Sequence, residues 1–241
     1  MTALSSKTKA FRIAIDLGAT SGRIMLGGTD GTQREIARFN TPMLHQERGI
    51  FWDFPTLFRS ILDGLKTLTK DDGPFLSLSC DSWAQDFGLL DKDGRLLDLP
   101  YSYRDTSCDI HSNCRLALIQ ERRPDLYEKA TRLLHIADLV HYYLCGEIRP
   151  NYSLVAISRL PMNHPLLAPL ADGEIIGTVN HPELPCLAGV PVVSGAGHDT
   201  AAAYMSSAPA FGELFVSLGT WYMAATPWKE EPVLTAPFGP L

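Results

Sequence analysis

The pattern of apolar and polar positions predicts three amino-terminal strands, over Phe11–Leu17, 23–26 and 35–39. The small-residue turn Asp16-Leu17-Gly18-Ala19-Thr20-Ser21-Gly22 and the turn Asp30-Gly31 join them into an antiparallel meander. Leu57, Phe58, Ile61, Leu62 and Leu65 recur at helical spacing and predict a helix over 54–68. Residues 75–80 read as a buried strand, and 87–90 with 95–97 flank the hairpin turn Asp93-Gly94. Two helices follow over 114–122 and 125–145, the second closed by Gly146. Residues 152–159 read as strand or irregular, and the proline-, asparagine- and histidine-rich stretch 160–185 as a long connection. A strand over 190–194, a helix over 200–205 and a hairpin of 213–217 with 221–225 complete the reading. Both Asp16-Leu17-Gly18-Ala19-Thr20 and Ser217-Leu218-Gly219-Thr220 end a strand in a Gly/Thr turn, which suggests two related domains, the second only begun.

Composition narrows the class. A length of 241 residues, 45% hydrophobic and 20% charged, is ordinary for a globular protein with a sizeable core. The net charge of -6, without a basic run, makes nucleic acid and anionic membrane poor partners. A nucleotide stays compatible, because backbone amides and a few local cations hold phosphates. Five cysteines without a CxxC pair, and no apolar signal core at the start, make a reduced cytoplasmic location the default. Cys108, His111 and Cys114 are evenly spaced, but no second cluster completes a four-ligand metal set.

The chemistry concentrates at strand ends. The apolar run Val190-Pro191-Val192-Val193-Ser194-Gly195-Ala196-Gly197 ends in His198-Asp199, where a buried strand breaks into a glycine turn and an alanine-rich helix. Such a strand mouth delivers a side chain into a cleft, and a carboxylate there can accept a proton from a substrate hydroxyl. The plainer alternative is that Asp199 caps the helix, and this segment alone does not separate the two. The first turn offers small residues whose amides can converge on a phosphate, the hydroxyls of Thr20 and Ser21, and the cation Arg23. Asp16 could hold a magnesium ion there, usually through water. A plain hairpin is the commoner explanation of such a turn, yet it has no need of Asp, Thr, Ser and Arg together.

In Cys80-Asp81-Ser82-Trp83-Ala84-Gln85-Asp86-Phe87, Trp83 can stack on a sugar face while Gln85 and Asp86 bond its hydroxyls. Ala84 would let the backbone approach closely; the bland alternative is a half-buried Trp with Asp86 in a turn. Tyr103-Arg104-Asp105 is most simply a local Arg–Asp pair. The stretch Gly195-Ala196-Gly197-His198-Asp199-Thr200-Ala201 also imitates a dinucleotide fingerprint. That rival would put the Asp199 carboxylate in a pyrophosphate site, and the antiparallel amino-terminal strands lack the βαβ unit it requires. Taken together, the parts describe phosphoryl transfer to a sugar.

These residues resemble the FGGY carbohydrate kinases, most closely their rhamnulokinase branch. The resemblance is carried by Ala14–Arg23, Phe51-Trp52-Asp53, Asp81–Asp91, Leu99–Asp105, Gly197–Ala201 and Ser217–Trp221. It implies an α/β fold of two ribonuclease-H-like domains with mixed sheets around a deep cleft. Residues 1–208 would be the sugar-binding domain, and 209–241 the incomplete start of the nucleotide-binding one. Ala19, Thr20, Ser21, Gly22 and Arg23 would meet the ATP phosphates, with Gly219 and Thr220 touching them from the second domain. Trp83, Ala84 and Asp86 would line the ketose site, His198 and Thr200 would flank the sugar, and Asp199 would be the base. Asp16 would serve Mg²⁺. The reaction implied is ATP plus L-rhamnulose giving L-rhamnulose 1-phosphate.

Ala84-Gln85 replaces the Gly-Val typical of that branch, so a kinase for another deoxyketose such as L-fuculose is an alternative. A non-catalytic sugar-binding or interaction module is another. The apolar residues Leu214, Phe215, Val216, Trp221, Tyr222 and Met223 would lack sheet partners in an incomplete domain, and homodimerisation would cover them.

Overall fold

The computed structural model describes residues 9–218, 222–227 and 233–238. The amino-terminal meander is present as β1 (Phe11–Leu17), β2 (Ser21–Gly28) and β3 (Gln33–Asn40). A short hairpin not anticipated from the sequence follows, β4 (Met43–Gln46) and β5 (Gly49–Trp52). Helix α1 (Phe54–Leu65) starts where Asp53 accepts the Thr56 amide at 3.2 Å and Thr56 Oγ1 at 2.7 Å. Its stripe of Leu57, Phe58, Ile61, Leu62 and Leu65 is buried, as the spacing predicts. Next come β6 (Phe75–Ser82) and β7 (Phe87–Leu90), with Leu90 bridging Leu96 across the expected turn.

The helix expected over 125–145 is instead three elements. After α2 (Ser112–Arg122) the chain forms a single turn α3 (Pro124–Tyr127), a strand β8 (Arg132–His135) and only then α4 (Ile136–Cys145). The strand wins because β7 is buried at every position and offers Leu133 and Leu134 a ladder partner. Gly146 closes α4 in the left-handed region, φ 83, as read. The segment 152–159, expected as strand or irregular, contains helix α5 (Tyr152–Ile157), because Asn151 caps it through the Ser153 amide at 2.9 Å. The expected connection 160–185 contains the edge strand β9 (Glu174–Thr178), paired to β10 (Pro191–Ser194). Helix α6 (Asp199–Ser207) follows, then β11 (Phe215–Leu218), β12 (Tyr222–Thr226) and β13 (Val233–Phe238).

The main sheet has six strands in the order β3-β2-β1-β6-β10-β9. β1, β6 and β10 run parallel and the remaining pairs antiparallel, so the sheet is mixed. Helices α1 and α4 cover one face and meet through Phe54, Phe58 and Tyr143. Strand alternation sends Ile13, Ile15, Leu17, Ile24, Leu26, Leu78 and Cys80 to that face. It sends Arg12, Ala14, Asp16, Arg23, Met25 and Asp81 to the other, which borders a cleft. β11, β12 and β13 form a separate antiparallel sheet beside α6. Among the described residues, no helix is long and apolar enough to cross a membrane. All five cysteines are free thiols.

Candidate active site

The cleft on the open face of the main sheet has a volume of about 1010 Å³. Among the described residues, three carboxylates reach it: Asp16 from the end of β1, Asp81 from β6 and Asp199 from the start of α6. Asp16 is directly opposite Arg23 on one side and Asp81 on the other, so Arg23, Asp16 and Asp81 form a row across adjacent strands. Arg23 Nε donates to Asp16 Oδ2 at 2.7 Å. Burial first, then the charges of Asp16 and Asp199, push the Asp81 carboxyl well above the usual range, against the pull of Arg23. Asp81 lies inside a stretch the sequence singled out, yet its place in the row depends on the β1–β6 pairing, which no local signal announces.

The turn between β1 and β2 closes through Gly18 N donating to Ser21 O at 3.1 Å. Thr41 staples it, donating from Oγ1 to Gly18 O at 2.8 Å and from its amide to Thr20 O at 3.0 Å. Gly18, Ala19 and Arg23 line the cleft, whereas Thr20, Ser21 and Gly22 are not part of its wall. Gly22 answers a packing demand: a Cβ there would lie 2.4 Å from the Phe39 ring and 2.9 Å from Leu17. Gly219 and Thr220 lie outside the described residues.

Trp83, Ala84 and Gln85 also line the cleft, with Tyr103, His111 and Ile157. Asp86 departs from the role the sequence suggested. It is buried away from the cleft wall, and its Oδ2 accepts both the Trp52 indole N–H at 2.6 Å and the Trp83 indole N–H at 2.8 Å. The two rings pack with centroids 4.3 Å apart, so Asp86 fixes an aromatic pair rather than facing a ligand. Burial raises its carboxyl to about 7, against the lowering effect of the Trp52, Tyr103 and Trp83 donors and of Arg115. Gln85 adopts φ 79 and ties the walls together. Its Nε2 donates to Ile157 O at 3.1 Å, and its Oε1 accepts the Ser112 amide at 3.3 Å. The carboxylate of Asp105 pairs with Arg115, at 3.9 Å, rather than with its neighbour Arg104 as the sequence suggested. It also accepts the amides of Ile50 and Ser107, which ties its own loop to β5.

His198 and Thr200 flank Asp199 in the cleft wall. The capping position of α6 belongs to His198, which makes no side-chain capping bond, and Asp199 is the first helical residue. Oδ1 of Asp199 accepts the Thr200 amide at 2.5 Å and Thr200 Oγ1 at 3.1 Å, with His198 Nε2 at 3.3 Å. Burial lowers the His198 pKa, the Asp199 charge opposing that shift, which favours a neutral imidazole beside the carboxylate.

No family model matches the chain. A rhamnulokinase of Bacteroides thetaiotaomicron is 30% identical over 272 residues, covering 92% of this chain and 56% of that protein. A gluconate kinase of Lactobacillus acidophilus superposes with a TM-score of 0.80 at 14% identity, covering 91% of this chain and 54% of that one. A ligand-bound xylulose kinase of the same organism gives a TM-score of 0.78 at 14% identity, over 90% and 54% of the two chains. The chain thus spans about half the length of the curated relatives it matches. Sequence likeness and fold together place it with the amino-terminal region of the FGGY carbohydrate kinases.

Proposed function

We propose that the chain supplies the sugar site and the catalytic base of an ATP-dependent ketose kinase, with L-rhamnulose as the substrate. One observation carries this reading: Asp199 opens a helix at the wall of the same cleft as the Arg23–Asp16–Asp81 row. A base and a charge-handling turn then face one space large enough for a sugar and a phosphate chain. The rhamnulokinase relatives support the choice of sugar. Trp83, Ala84, Gln85, His111 and Ile157 would line the sugar's part of the cleft. Residues 1–208 are the sugar-binding domain and 209–241 open the second domain, a division supported by the separate sheet of β11, β12 and β13.

In the reaction the terminal hydroxyl of the ketose gives its proton to the Asp199 carboxylate as its oxygen bonds to the γ-phosphorus of ATP. The bond from that phosphorus to the β,γ-bridging oxygen breaks, and ADP leaves with the electron pair. His198 and Thr200 hold the carboxylate in place, and the Gly18–Ala19 turn with Arg23 receives phosphate oxygens. The neighbouring carboxylates of Asp16 and Asp81 are hard oxygen donors that suit a magnesium ion keeping most of its waters. Among the described residues, no three His, Cys, Asp or Glu side chains converge on a closed metal cage, and such a water-rich site needs none. Bound there, the ion would offset charge on the phosphates.

A general base contributes roughly 10²–10⁴-fold, so Asp199→Asn should lower kcat by about that factor with little change in sugar affinity. The assay is L-rhamnulose-dependent ADP release, with sugar binding followed by calorimetry. Undiminished turnover in the variant would remove Asp199 as the base. Sugar binding that is indifferent to ATP, without turnover, would favour a binding module instead.

A further inference from the structure

Asp199 sits on a helix with no fully buried residue, so its partial packing against β6 and β11 leaves much of its placement to the chain that leads into it. What fixes it is the turn 194–198 that delivers the chain from β10. Ser82 N holds one point of that turn, donating to Gly197 O at 2.9 Å. Gly173 N holds another, donating to Ser194 O at 2.8 Å, and a further set of holds comes from Asn151. Its Nδ2 donates to Ser194 Oγ at 2.8 Å and to Gly195 O at 2.5 Å. Its Oδ1 accepts the Gly197 amide at 3.2 Å. The same Oδ1 accepts Ser153 Oγ at 2.7 Å, and that hydroxyl oxygen accepts the His198 amide at 3.1 Å.

Asn151 is itself tied into the fold. It is 1% exposed, its amide donates to Asp138 Oδ1 at 3.1 Å, and flanking bonds tie Tyr152 and Pro150 to Ala171. Gly197 lies so close that a Cβ there would meet Asn151 Cγ at 2.8 Å. Only a primary amide can donate to two carbonyl or hydroxyl oxygens on one side and accept an amide on the other. We propose that Asn151 is the positioning residue for Asp199, holding the turn 194–198 so that the carboxylate enters the cleft. The inference rests on the reading of Asp199 as the base.

Asn151 also caps α5, and the test separates that role from the proposed one. Aspartate caps a helix as well as asparagine does but cannot donate to Ser194 and Gly195. In Asn151→Asp, hydrogen–deuterium exchange should accelerate about tenfold or more in peptides covering 195–200 and stay unchanged over 13–26 and 136–157. Kinase turnover should fall about tenfold or more at unchanged sugar KM, because a misplaced base weakens the transition state and not substrate binding. Unchanged exchange over 195–200 would overturn the proposal. So would acceleration that includes 136–157, which would mark a purely structural role. If Asn151→Asp does not fold, Asn151→Ser keeps the cap with a hydroxyl too short to span the turn, and the same comparison decides. A wild-type chain that neither binds nor phosphorylates the sugar would instead defeat the kinase reading, while exchange still judges the role of Asn151.

Discussion

Replacing Asp86 by asparagine should change how stability depends on pH. In the folded protein its carboxyl is raised to about 7, chiefly by burial. In the unfolded chain it titrates near 3.9. Between those values the folded state keeps a proton that the unfolded state has lost. The stability associated with Asp86 is therefore fully present below about pH 4 and is lost as pH rises to about 7. The slope is about 1.4 kcal/mol per pH unit, or about 3 kcal/mol between pH 4.5 and 6.5. Asp138, also buried and raised to about 7, acts in the same direction. Buried His135 and His141, lowered to about 3 and about 4, act oppositely, since the unfolded chain binds their protons more readily. These groups are common to both proteins and cancel in the comparison. The carboxamide introduced by Asp86→Asn retains an oxygen for the indole donors but turns an N–H toward the Tyr103 amide, a pH-independent loss of about 1–3 kcal/mol.

Urea unfolding of Asp86→Asn and wild type, followed by circular dichroism from pH 4.5 to 7.5, measures the difference. The variant should gain on the wild type by about 3 kcal/mol between pH 4.5 and 6.5, whatever the offset. Parallel curves would refute the reasoning. They would mean that the Trp52, Trp83 and Tyr103 donors outweigh burial and keep Asp86 ionised throughout.

Two further substitutions test the frame of the site. Gly197→Ala would place a Cβ 2.8 Å from Asn151 Cγ and 2.9 Å from Leu154 Cδ1. It should destabilise by about 1–3 kcal/mol in urea unfolding, and a neutral result would show that the turn can move off Asn151. Gln85→Gly relieves a left-handed φ of 79 while dropping the side-chain bonds to Ile157 and Ser112. Those effects oppose, so thermal unfolding should report a net change within about 1 kcal/mol. A larger loss would show that the bonds dominate the strain.

What the sequence revealed tracks the reach of each contact. The β1–β2 hairpin and the turn before α6 are set by neighbours in the chain, so Asp16, Arg23 and Asp199 were legible as candidates. The role of Asp86 was not, because one of its two indole partners is Trp52, 34 positions away, and a carboxylate three residues from Trp83 looks the same whether it faces ligand or core. Asp105 failed similarly: its neighbour Arg104 suggested a local pair, while the buried cation is Arg115. The lost strand Arg132–His135 has a related cause. Leu133 and Leu134 suit a helix as well as a strand until β7 supplies a ladder. Asn151 shows the limit most plainly, since its bonds to Gly195 and Gly197 span 44 and 46 positions. Only after β10 lies beside β6 does α5 come under the turn, and then an asparagine that reads as a helix cap also carries the turn that opens α6.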